Sequence, residues 1–97
     1  MATMGSWLNE RRLAQTASRL RTLRDELAMI DEQVAHFADD AEELALRALV
    51  SETPGASYES NAARQHLEAM RRHRQHVIEE IASLELRQDR LLDQLHP

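Results

Sequence analysis

Four histidines and a run of arginines are the residues in this chain whose types and spacing invite chemistry. His66, His73 and His76 recur at intervals of seven and three, which on a helix places them on neighbouring turns, and imidazole is both a metal ligand and the side chain that titrates near neutrality. His36 is expected near His76 across the fold. The ligand logic stops there. Helical di-iron sites place a Glu three residues before each His, and those positions hold Gln33, Ala63, Met70, His73 and Asp93; the HExxH spacing is absent as well. Solvated histidines on a polar face are the leading reading, followed by a pH-sensitive contact between His73 and Asp40, with a metal site last.

Arginine supplies the second candidate chemistry. Residues 11 to 24 hold five Arg and no acid, whereas residues 25 to 43 hold eight acids and no Arg. Arg11, Arg12, Arg19 and Arg21 therefore form a basic arm able to contact phosphates, although no aromatic residues interleave with them as they do in single-strand binders. The run Arg71-Arg72-His73-Arg74-Gln75-His76 contains one charged residue at a core position, Arg74. Its guanidinium can stack on Phe37 and bond to Asp40, or its stem can cover Phe37 while the head reaches water. Gln88, facing Leu23, is a second polar layer with the same two readings.

No glycine-rich phosphate loop, nucleophile elbow or pair of carboxylates in a recognisable pocket is present, and the absence of cysteine removes thiol nucleophiles, disulfides and thiolate zinc sites. No cofactor, small-molecule substrate or enzymatic activity is expected. A net charge of −5 does not draw the chain as a whole toward nucleic acid or an anionic membrane. No apolar run approaches the roughly 20 residues that span a bilayer, and the first residues lack the apolar core of a signal peptide. These features predict a cytoplasmic protein.

Composition says which elements must carry these residues. Of the 97 residues, 51 are Ala, Leu, Arg or Glu, the signature of long helices and coiled coils; two Gly and two Pro leave few places to turn, and three aromatics leave little for a globular core. Positions 13, 20, 27, 34, 41 and 48 read Leu, Leu, Leu, Val, Ala, Ala, and positions 16, 23, 30, 37, 44 and 51 read Thr, Leu, Ile, Phe, Leu, Ser, a heptad stripe over five repeats. It breaks at Thr53-Pro54-Gly55. Ser57 can cap a second helix, with Glu59 in its first turn, and a second stripe then runs through Ala63, Leu67, Met70, Val77, Ile81, Leu84, Leu91 and Leu95. The prediction is an all-α fold, one antiparallel two-helix coiled-coil hairpin over 1–97, with helix 1 over about 6–51, a loop over about 52–57 and helix 2 over about 58–95.

Facing positions of such a hairpin have residue numbers with a constant sum, and 111 aligns both stripes. It pairs Leu20 with Leu91, Leu27 with Leu84, Ala41 with Met70, Leu44 with Leu67 and Ala48 with Ala63, and it sets Arg24 beside Glu85, Glu26 beside Arg87 and Asp40 beside His73. One seam is a thin core for this length. The apolar residues off the seam, Leu46, Leu49 and Val50 near the connection, Trp7, Leu8, Leu86 and Leu92 near the open end, and Ile78 between them, predict a second docking face. Its expected use is a homodimer that completes a four-helix bundle, or a protein partner.

Two local resemblances bear on function. Leu23-Arg24, Leu27, Ile30-Asp31 and Val34 resemble the opening of the all-helical chorismate mutases over about fifteen residues; that family would make Arg24 a substrate-carboxylate ligand. It also uses a Lys and a second Arg, and this chain has no Lys and has Ala41 where that Arg belongs. Glu59-Ser60-Asn61-Ala62 is similar to the Ser-Glu-Asn-Ala stretch at the hairpin tip of Gre-type transcript cleavage factors, with the first two residues exchanged. That resemblance implies tip acids, Glu59 with Glu52, near a catalytic magnesium of RNA polymerase. The function read from the sequence is a non-catalytic interaction or adaptor module that self-associates or docks on a partner protein. The alternative is a transcription-associated regulator that binds RNA polymerase or nucleic acid through the tip acids or the Arg arm.

Overall fold

A computed structural model describes residues 4–95. The described chain is two helices, α1 (Met4–Ser51) and α2 (Pro54–Leu95), and contains no strand. No described helix is long and apolar enough to cross a membrane. The described residues form two compact units, one from residues 4–27 and 77–95, the other from residues 28–76.

The connection is shorter than the spacing of turn residues predicts. Only Glu52 and Thr53 separate the helices, so the loop read over 52–57 is corrected to two residues, and α2 starts four residues before its expected position. Proline explains the difference. Its fixed φ and missing N–H end α1, but the same properties suit the first position of a helix, and Pro54 opens α2. The cap is therefore Thr53, not Ser57: the Ala56 amide donates to Thr53 Oγ1 at 3.2 Å, and the Ser57 amide donates to the Thr53 carbonyl at 3.1 Å. Glu59 falls beyond the first turn of α2, which carries no acid. Gly55 lies inside that turn with φ outside the left-handed region. The residue that takes positive φ is Glu52 at 52°, where the Glu52 amide closes α1 by donating to the Ala48 carbonyl at 3.1 Å. Thr53→Ala is expected to cost about 1 kcal/mol in chemical denaturation, and Ser57→Ala a few tenths at most. The reverse order would return the cap to Ser57.

Register in the second unit follows from this short connection. Phe37 meets His66 edge-on with ring centroids 4.4 Å apart, and their numbers sum to 103. Asp31 bonds to Arg74, a sum of 105. Ala48 and Ser57 line one groove, also a sum of 105. Facing positions thus sum to about 104, one heptad below the expected 111. A heptad slip puts one seam residue in place of another, which is why both registers satisfy the same apolar pattern.

The first unit holds most of the core. Leu20 and Leu23 are 0% and 1% exposed, and Val77, Ile81 and Leu91 are buried with them. Thr16, also buried, satisfies its hydroxyl by donating to the Arg12 carbonyl at 2.8 Å. Two ion pairs flank this seam, Arg19 with Glu80 at 3.1 Å and Arg24 with Glu85 at 3.6 Å. The Arg24 pair is one that the sequence reading names. It fits a register near 104 as well, because the two pairs sum to 99 and 109, and long side chains reach about a turn in opposite directions along the groove. In the second unit only Ile30 and Leu67 are buried; Val34, Phe37, Ala41, Leu44, Ala48, Ala63 and Met70 are half-buried.

Candidate interaction surfaces

The described histidines and the arginines of the basic arm are exposed on helix surfaces, whereas Asp40, Arg74 and Gln88 are half-buried and Glu52 lies in the connection. In the second unit the slipped register changes their neighbours. Arg74 does not stand opposite Phe37; its Nε donates to Asp31 Oδ1, and the pair remains partly exposed. Phe37 instead packs its ring against His66, with His36 tilted beside it at 5.6 Å. Asp40 meets His36 one turn away on its own helix, Nε2 to Oδ2 at 3.4 Å, so His36 is engaged on α1 and is not set beside His76. Among the described residues no group of three or more His, Cys, Asp or Glu could hold a metal ion. In the first unit Gln88 is half-buried and, at a register near 104, lies level with Thr16 instead of Leu23, so a polar residue shares a layer with a polar one.

Glu52 and Glu59 are both exposed. Glu52 occupies the connection and Glu59 the second turn of α2, and no basic side chain bonds to either among the described residues. The Arg arm is partly engaged in the first unit: Arg19 pairs with Glu80, and the Arg11 guanidinium lies 5.6 Å over the Trp7 ring.

The apolar residues off the seam are where the surface departs most from an ordinary one. Leu46, Leu49 and Val50 are 58%, 74% and 85% exposed, and their spacing of three and four puts them on adjoining strips of α1. Trp7, Leu8, Leu86 and Leu92 are exposed in the first unit, where Ile78 is half-buried. Sequence reasoning missed Met29 and Tyr58, 62% and 76% exposed. Both lie outside the stripes, and that was the available signal.

A shallow groove of about 420 Å³ near the connection was also missed. It is lined by Ala45, Ala48 and Leu49 of α1 and Ser57, Ser60 and Asn61 of α2. Small residues on facing helices leave this space; larger ones would close it. It is open and shallow, without the enclosure that excludes water from a reacting centre. No ionisable side chain lines it. Comparison with known proteins finds no matching family model, no similar curated protein and no similar solved structure.

Proposed function

We propose that this chain is a helical interaction module that works without catalysis, docking on another protein chain or on a copy of itself. One observation carries the reading: Leu46, Leu49 and Val50 present their side chains to water on adjoining strips of one helix, beside a groove of small residues. Single exposed apolar residues are ordinary on any protein, but a contiguous set at helical spacing beside a groove marks a surface that another chain covers. Helix-in-groove recognition uses this arrangement of anchors and small-residue gaps.

Leu46→Glu with Leu49→Glu tests it. Both sites are exposed, so the helical signal in far-UV circular dichroism is expected to stay intact while the protein that co-purifies with the wild-type chain is lost. Undiminished co-purification by the doubly charged variant would take this surface out of the interaction.

A further inference from the structure

We infer that the groove of the second unit is covered by a second copy of this chain, stacked face to face with the two connections at the same end, so that Leu49 of each copy sits over Ser57 and Asn61 of the other and Glu42 of each meets Arg64 of the other. The inference deepens the docking function proposed above and rests on it.

Buried area gives the first argument. A folded monomer of 11.2 kDa is expected to expose about 5,700 Å², whereas this chain exposes 7329 Å². The excess, about 1,600 Å², is about twice what one partner contributes to a standard-sized interface. The shortfall in burial is unevenly placed. The two units are of nearly equal length, yet five of the seven buried apolar side chains lie in the first and two in the second. The two most exposed large aliphatic side chains among the described residues, Val50 and Leu49, belong to the second unit too, and Leu49 lines the groove. It is the half of the molecule with the thinner core, and the groove flanked by Leu49 lies on it.

Self-complementarity gives the second. A two-fold contact presents the same patch from both copies, so the patch must carry both the projecting and the receiving element. This one does. Leu49 projects from the α1 bank, 74% exposed, and Ser57, Ser60 and Asn61 form a low α2 bank. Stacking with the connections at one end lays α1 of each copy over α2 of the other, which brings each Leu49 onto the other's low bank.

Charge fixes the alignment. Glu42 precedes Ala45 by three and Leu49 by seven, and so belongs to the α1 bank; Arg64 follows Ser57 by seven and Asn61 by three, and so belongs to the α2 bank. Their numbers sum to 106, which places them at one level of the second unit. Both are exposed, and no ion pair joins them to each other among the described residues; Arg64 donates to the Asn61 side-chain oxygen at 3.4 Å. In the stacked pair each Glu42 lies over an Arg64, giving two symmetry-related attractions. Had the connections pointed in opposite directions, α1 would lie over α1 and Glu42 of each copy would have no Arg64 opposite it.

Sedimentation equilibrium of the full chain, over about a hundredfold range of concentration, tests the inference through three variants. The wild type is expected to associate to twice the chain mass, and Leu49→Glu to weaken association at least about a hundredfold with helicity unchanged. Glu42→Arg alone and Arg64→Glu alone each set like charges opposite one another and are expected to weaken it about tenfold. Mixing those two variants in equal amounts is expected to restore association, because each charge then meets its opposite on the other chain. A wild-type chain that stays monomeric throughout overturns the second-copy assignment. Association that both charge reversals leave unchanged, or that mixing fails to restore, overturns the stacked geometry. A monomer whose co-purifying protein is still lost in Leu46→Glu with Leu49→Glu leaves docking standing while removing self-association; a monomer that keeps its co-purifying protein in that variant removes both.

Discussion

Leu20→Ala and Leu23→Ala are each expected to destabilise the chain by about 3 kcal/mol, within the range for emptying a fully buried leucine site. These are the largest side chains excluded from water, at 0% and 1% exposure. Each truncation removes burial and leaves a cavity between helices that have few other contacts to close it. A domain of this length commonly holds about 5 to 15 kcal/mol in total, so one such change takes a large share of what exists. Thermal melting followed by circular dichroism should show the midpoint falling by about 12 to 24 °C. Leu49→Ala, at 74% exposure, is the matched control: at concentrations too low for association it should move stability by no more than about 0.5 kcal/mol. A chain in which Leu20 and Leu49 behave alike would place the core elsewhere than around Leu20, Leu23, Ile81 and Leu91.

The contrast between those two leucines is legible in the sequence, because the heptad stripe assigns Leu20 and Leu23 to the seam and leaves Leu49 outside it. The all-helical character and most of the exposed apolar residues follow from the same period, although Ile78 is half-buried and Met29 and Tyr58 are exposed as well; the end of α1 at Ser51 follows from the proline beyond it. What the period leaves undetermined is which repeat meets which. A register of 111 and one of 104 bury the same kinds of residue, and the choice between them rests on where the chain turns. There the local chemistry has two readings. Proline forbids continuation of one helix and favours the start of another, and Thr53, a cap by type, is as good a candidate as Ser57. Glycine beside proline resembles a turn, yet the turn places its left-handed residue at Glu52, a position that no propensity marks. Moving the start of α2 from 58 to 54 carries the facing pairs with it. Arg74 then finds Asp31 where Phe37 was expected, and Phe37 finds His66. The groove is illegible in the sequence for the same reason. In the 111 register Ala48 faces Ala63, whereas in the actual one it lies across from Ser57 and Ser60, and the small residues of both helices come level with one another.

Because two registers satisfy one pattern, a pair of cysteines in the second unit separates them outright, and the absence of native cysteine makes the experiment free of background. Ala41 and Ala63 are both half-buried seam residues whose numbers sum to 104. Alanines at a helix–helix seam allow close approach of the two backbones, within the Cα separation of about 4.4 to 6.8 Å that a disulfide requires. Ala41→Cys with Ala63→Cys is therefore expected to crosslink within the chain nearly completely on mild oxidation. Ala48→Cys with Ala63→Cys, the pair that a register of 111 would set face to face, is offset by seven residues, about 10 Å along the helix axis, which lies outside bridging range. It is expected to stay reduced or to link separate chains. The intramolecular bond is read as a faster-migrating band on non-reducing gels at a protein concentration low enough to suppress links between chains. Efficient closure of the second pair with failure of the first would restore the six-residue loop and return Arg74 to Phe37. It would also take Glu42 and Arg64 off a common level, removing the alignment on which the stacked dimer depends.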